Sequence, residues 1–203
     1  MLARFQAVKE IKDGVSYGKW QLSSKMGTCA KFVQMMGYSQ YFGNNQPGTP
    51  AFSDLWVKAV KKFPNFSEDQ HKFIFKTHFQ VQCDFLKSVG IDLSNRGPAV
   101  LDAIWSTSVQ FGGNTSLIEK ALKNKQIDNL SDIDIVSAIQ DYKIDNNSSL
   151  FKSSSDSVRH STLNRAKDEK NSLIVLAKAS NESGIPTELK DLFDAISKIG
   201  EES

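Results

Sequence analysis

The stretch from Asp13 to Thr28 concentrates groups that can do chemistry: Asp13-Gly14-Val15-Ser16-Tyr17-Gly18-Lys19-Trp20-Gln21-Leu22-Ser23-Ser24, then Gly27-Thr28. Asp13 supplies a carboxylate, able to take or give a proton at a bound molecule. Ser16 and Tyr17 can donate hydrogen bonds to a ligand or to Asp13. Tyr17 and Trp20 can stack on a ligand face, although core packing is the commoner fate of such rings. Glu10 is the only acid that precedes Asp13. Two carboxylates so near in sequence rarely face each other across a substrate.

Other constellations point nowhere. His71 and His78 lie seven apart and share a helix face two turns away from each other. A metal pair wants closer spacing and a third ligand, so no metal and no cofactor are expected. With His160, these read as surface or supporting groups. No nucleophile-elbow pattern backs a Ser-His-Asp triad.

A short β element must position the Asp13 stretch. Tyr17, Trp20 and Leu22 roughly alternate with Ser16, Lys19 and Gln21, which predicts a strand. Gly14 and Gly18 allow sharp turns beside it. A plain edge hairpin without function has the same pattern. Upstream, Leu2, Phe5, Val8 and Ile11 recur at three-residue spacing and predict a helix over Met1–Lys12, which would put Glu10 near its C-terminus.

Downstream, helical spacing dominates. Thr28 is placed to cap a helix through Cys29, Phe32, Val33 and Met36. Residues 38–50 read as a loop, and 51–63 as a helix stopped by Pro64. Ser67-Glu68-Asp69-Gln70 has the form of a capping box opening a long Phe-rich helix. Pro98 starts a strongly apolar helix that ends at Gly112-Gly113. Asn114 or Ser116 begins the next. Ser131-Asp132-Ile133-Asp134 opens another, before a polar loop over 145–157. From Val158 to Ala179 the spacing is helical again, with Arg165 and Glu169 one turn apart and able to pair. The pattern alone gives an all-α or α+β class with a small hairpin.

Two patches resemble a known group. Asp13, Gly14, Ser16, Tyr17, Gly18, Gln21, Leu22, Ser23, Ser24, Gly27, Thr28 and Phe32 match the signature of lysozyme-like cell-wall hydrolases. The branch is the one near the chitosanases and the phage and secretion-system peptidoglycan hydrolases. Trp105-Ser106-Thr107-Ser108-Val109-Gln110-Phe111-Gly112-Gly113 resembles the group's second patch, and the likeness extends weakly to about Leu176. The resemblance implies a mainly α (α+β) lysozyme-like domain whose small β hairpin lines a cleft. It implies Asp13 as the second carboxylate of a glycosidase. It implies Ser16, Tyr17, Trp20, Gln21, Thr107 and Gln110 as substrate contacts, with Ser106, Thr107 and Gln110 facing the hairpin.

The general acid of that group lies further upstream, at the end of a preceding helix. Three explanations stand side by side. Glu10 has taken over in a compacted motif, or the acid lies in a missing N-terminal segment, or the chain is a non-catalytic module. The expected function is therefore cleavage of a β-1,4-glycosidic bond of peptidoglycan by carboxylate general acid/base chemistry. The alternative is a lysozyme-like body that holds glycan, or serves in a virion or secretion assembly, without cutting.

Composition sets outer bounds. At 203 residues one domain is the default, read as 1–180 with a tail over 181–203 that carries a short amphipathic helix through Leu189, Leu192, Phe193 and Ile196. A net charge of +2 makes no case for nucleic acid. No apolar run approaches membrane-spanning length, so membrane insertion is not expected. The partner is peptidoglycan or a related amino-sugar polymer, met by a monomer. No secretory signal is visible at the start. The expectation is synthesis in the cytoplasm and action at the cell wall or periplasm after release or injection. Cys29 and Cys83 are too few for a disulfide framework and read as buried small hydrophobes.

Overall fold

The computed structural model describes residues 8–11 and 14–183, with side chains from residue 14 to residue 180. The chain forms two compact units, Met1–Thr77 and His78–Ser203. As expected, it is mainly helical with one small antiparallel sheet.

The first unit opens with three strands in the order β1-β2-β3. β1 (Val8–Ile11) pairs with β2 (Gly14–Tyr17) from Val8↔Tyr17 to Ile11↔Gly14. β2 pairs with β3 (Leu22–Ser23) through Ser16↔Ser23 and Tyr17↔Leu22. The helix expected over Met1–Lys12 is thus a strand where it is described. Val8 and Ile11 satisfy a helical spacing, but both are β-branched and favour a pleated ladder. Trp20 sits in the 18–21 turn between β2 and β3 rather than in a strand. Gly18 at φ 70° and Gln21 at φ 53° make the left-handed bends of that turn.

Among the described residues of this unit, four helices follow: α1 (Thr28–Met35), α2 (Ser39–Phe42), α3 (Pro50–Lys62) and α4 (Phe66–Ile74). Thr28 does not cap α1. Its hydroxyl accepts from the Ser23 N–H at 2.7 Å and so anchors the end of β3. Thr49 caps α3 by accepting from the Phe52 N–H, with Pro50 in the first turn. α4 starts at Phe66, ahead of the expected capping box, and has no side-chain cap. Glu68 and Asp69 still fall in its first turn, where the helix dipole favours acids. The core is aromatic. Trp56 is fully buried, with ring centroids 4.9 Å from Phe66 and 5.6 Å from Phe32, and Phe42 stacks on Phe52 at 4.5 Å. A π-helical stretch, Phe75–Phe79, follows α4, and the division between the units falls inside it.

The second unit contains α5 (Gln80–Ser88), α6 (Pro98–Phe111), α7 (Leu117–Leu122), a 3-10 turn at Ile127–Asn129, α8 (Asp132–Asp145), α9 (Asn147–Leu150) and α10 (Asp156–Ser183). α6 begins at Pro98 and ends at Gly112, as its sequence predicts. Ser131 and Asp134 close a full capping box on α8. The segment over 145–157 is not all loop, since α9 lies within it. α8 packs on α7 and α10, and α6 on α10. Val100, Ala103 and Ile104 of α6, Ile135, Val136 and Ile139 of α8, and Leu173 and Ala177 of α10 form the buried layer. Arg96 ties the approach to α6 onto the segment before α8 by donating to the Leu130 and Ile127 carbonyls at 2.8 and 2.7 Å. α10 runs to Ser183, past the break expected at Asn181. The short helix expected in the tail lies outside the described residues.

Cys29 is buried and Cys83 half-buried. Burial pushes both thiols up to about 12, with Asp84 and Asp92 adding to the shift at Cys83. No helix among the described residues is long and apolar enough to cross a membrane.

Candidate functional site

The first unit holds the first sequence patch. Asp13 lies outside the described residues, next in the chain to Gly14, which opens β2 at φ 110°. Glu10 stands in β1 opposite Val15. It is therefore in a strand ladder and not at the end of a helix, because β1 replaces the expected helix. The Ser24 hydroxyl accepts from the Val15 N–H at 2.9 Å and fixes the return of the chain beside β2.

Tyr17 departs from its expected role. It is fully buried, its ring packed 5.1 Å from both Phe52 and Trp56. Its hydroxyl accepts from the Gly48 N–H at 2.9 Å and bonds the Ser53 hydroxyl at 2.9 Å. No face of this ring is open to a sugar; the residue is a keystone between sheet, loop and α3. Ser16, one residue earlier, is also buried.

Trp20 and Gln21 differ in burial. Gln21 is exposed and its side-chain amide donates to the Gly18 carbonyl at 3.1 Å. Trp20 is half-buried, tilted against His71 at 5.5 Å, with the Lys19 ammonium 5.7 Å from its ring. Beside them Lys19, Trp20, Ser67, Glu68, Gln70 and His71 line a pocket of about 270 Å³. The His71 pKa is lowered, first by desolvation and then by the Lys19 charge, while Glu68 opposes the shift. His71 keeps an open surface, so solvent tempers these effects.

The second unit holds the second sequence patch, on α6. Trp105 packs 5.5 Å from Phe79. Thr107 is fully buried and donates to the Ala103 carbonyl at 2.7 Å. It is a helix-core residue and cannot touch a substrate as the resemblance implied. Gln110, three residues on, is half-buried.

One cluster in this unit was missed in the sequence. Lys143 of α8 is 3% exposed, with its ammonium 3.8 Å from Glu169 of α10 and 3.4 Å from the Ser106 hydroxyl. Ser106 in turn donates to Glu169. Glu169 thus turns to Lys143 and Ser106 and not to Arg165, as its sequence spacing suggested. Burial lowers the Lys143 pKa and Arg165 adds to this, while the charges of Glu169 and Asp102 work against it. Asp102 of α6 is held above the usual carboxylate range by desolvation and by Glu169, with Lys143 opposing. An open groove of about 800 Å³ runs past Asp102, His160, Arg165, Asp168 and Glu169. Its lining has no Phe, Tyr or Trp. A signal for the cluster did exist: Lys143 continues the buried stripe of Val136, Ile139 and Gln140.

Chemically, the described residues offer a ring with an imidazole and an ammonium beside it in one unit, and two carboxyls in contrasting environments in the other. Among the described residues, no three His, Cys, Asp or Glu side chains come together as a metal set.

Comparisons with known proteins place this arrangement. A chitosanase of family GH46 from Gynuella sunshinyii, solved in complex with chitotetraose, shares the fold with a TM-score of 0.57. The alignment covers 90% of this chain and 83% of that one at 14% identity. The type VI secretion system spike protein VgrG3 of Vibrio cholerae serotype O1 is 41% identical over 142 residues. The match takes in 70% of this chain but 14% of that protein's length. The family model for the C-terminal part of VgrG3-like type VI secretion system spike proteins matches residues 7–170, a span that includes both sequence patches. The chain therefore belongs to the family of VgrG3-like type VI secretion system spike C-terminal domains.

Proposed function

We propose that this chain is a cell-wall glycosidase that cleaves a β-1,4 bond of peptidoglycan after injection by a secretion spike. The observation that carries this reading is the fold shared with a chitosanase solved with an amino-sugar oligomer, in a chain of spike-protein family. Glycosidic hydrolysis needs an acid to protonate the leaving oxygen and a second carboxylate to activate water or steady the cationic ring. Asp13 is the second carboxylate in this reading and Glu10 the candidate acid. Trp20, Gln21 and Gln110 contact the glycan. Ser16, Tyr17 and Thr107 act from beneath, by holding β2 and α6 in place.

Turbidity of outer-membrane-permeabilised cells tests the assignment. The wild type clears the suspension, and Asp13→Asn and Glu10→Gln each slow clearing by about a hundredfold or more. Equal clearing by all three removes these two residues from the mechanism.

A second reading is favoured by one observation. Glu10 lies in the β1 ladder, whereas the resemblance wants the acid at the end of a helix. The chain would then hold glycan without cutting it. Retention on purified sacculi with no release of muropeptides is the result that selects this reading.

A further inference from the structure

At Ser24 the chain turns away from β2, yet β2 keeps its hydrogen bonds. In the register Tyr17↔Leu22 and Ser16↔Ser23, the next opposite pair is Val15 and Ser24. A regular pair at this place exchanges two backbone bonds. The Ser24 N–H donates to the Val15 carbonyl at 2.9 Å, as that pattern requires. The return bond is different. The Val15 N–H donates to the Ser24 hydroxyl at 2.9 Å, while the Ser24 carbonyl accepts from the Gly27 N–H at 3.4 Å, in the turn that leads to α1. The hydroxyl thus stands in for a backbone carbonyl. It lets the chain leave the sheet with both polar groups of Val15 still paired.

The hydroxyl is also closely walled. A β-carbon on Gly14 would lie 2.8 Å from Ser24 Oγ, and one on Gly48 would lie 3.2 Å from it. Gly48 is itself held, through its N–H bond to the Tyr17 hydroxyl. On its other edge Val15 faces Glu10. Because Val15 directs its N–H and C=O toward Ser24, its pairing with Glu10 is of the non-hydrogen-bonded kind, with Cα atoms about 4.5 Å apart. Asp13 precedes Gly14 by one peptide bond.

We propose that Ser24 is a positioning residue for the glycosidic cleavage: its hydroxyl fixes the start of β2, the stretch of backbone that Glu10 pairs with and Asp13 leads into. The inference rests on the reading that Asp13 and Glu10 act in hydrolysis, and adds the group that holds their backbone in register. Ser24 acts through Val15 and Gly14 and not on the substrate. Without the hydroxyl the Val15 N–H loses its partner, and the strand end shifts to find another. A misplacement of about 1 Å at a reacting group can cost roughly a hundredfold in rate.

Muropeptide release from purified sacculi tests this, as initial rate against sacculus concentration, counted per folded molecule. Ser24→Ala should lower kcat by about tenfold and leave the apparent KM within about twofold. A role in stability alone would change the folded fraction and not this kcat. Ser24→Thr, which keeps the hydroxyl, should return kcat to within about threefold of the wild type. Ser24→Cys is close in size but a weak acceptor; it should be slowed as Ser24→Ala is, and keeps the test open if Ser24→Ala does not fold. Ser23→Ala removes a neighbouring hydroxyl that accepts from the Met26 N–H in the same turn, and should keep the wild-type kcat. Wild-type kcat in Ser24→Ala or Ser24→Cys overturns the proposal. So does a Ser24→Thr chain as slow as Ser24→Ala, or an equal loss in Ser23→Ala. If Asp13→Asn is inactive in those cases, the glycosidase reading stands and the role of Ser24 alone falls. If the wild type releases no muropeptides, both fall together.

Discussion

The Oε1 atom of Gln70 lies 2.0 Å from the point that a β-carbon on Gly18 would occupy, and Trp56 Cζ2 lies 3.2 Å from it. The β2–β3 turn and α4 therefore approach each other through the missing side chain of a glycine. Gly18 also sits at φ 70°, where other residues are strained. Gly18→Ala should destabilise the fold by about 2–4 kcal/mol in urea denaturation. Adding Gln70→Ala should recover the steric part and leave about 1 kcal/mol from the backbone. A Gly18→Ala chain as stable as the wild type contradicts the packing.

Tyr17→Phe separates a core role from a contact role. The change removes the hydroxyl that bonds Gly48 and Ser53 and keeps the ring. A loss of about 1–2 kcal/mol is expected. Retention on sacculi, counted per folded molecule, stays at the wild-type level. A loss of retention with unchanged stability would restore Tyr17 to the glycan surface.

Lys143 and Glu169 are coupled. Removing one partner strands the other, so Lys143→Met and Glu169→Gln should each cost about 2–4 kcal/mol. The double variant should cost less than the two added. The folded Lys143 has its pKa below the ordinary 10.5. Between that lowered value and 10.5 the unfolded chain binds more protons than the native one, so stability rises with pH in this window. Denaturation of Lys143→Met across alkaline pH should lack that rise.

Asp102 gives the opposite slope. Its folded pKa lies above 3.8, so the native state holds the extra proton. Its contribution is complete below pH 3.8 and is lost as pH climbs through the raised value. Asp102→Asn should flatten the acid side of the stability profile, and lysis per folded molecule should stay as in the wild type. A variant profile identical to the wild type would show that the carboxyl is not perturbed.

What the sequence made legible depended on how local the signal was. Pro98, Gly112 and the Ser131–Asp134 box act on their own neighbours, and each marks its helix end where the structure has it. The two patches carried the family because they are contiguous in the chain. β1 was misread because Leu2, Phe5, Val8 and Ile11 fit a helical period, while the ladder that decides the matter is made by the next strand. Tyr17 and Thr107 were misplaced for a similar reason: a motif names a residue type, and only tertiary packing says which way it faces. Lys143 escaped notice because its partners come from 37 residues before it, at Ser106, and from α10 beyond it. Gln70 was read as part of a cap, when its work is to fill the space that Gly18 leaves.

With their thiols pushed up to about 12, Cys29 and Cys83 hold roughly one sulfur in 10⁵ as thiolate at neutral pH. The thiolate is the form that exchanges with disulfides or takes up oxygen. On the proposed route from a reducing to an oxidising milieu, neither sulfur is poised to react.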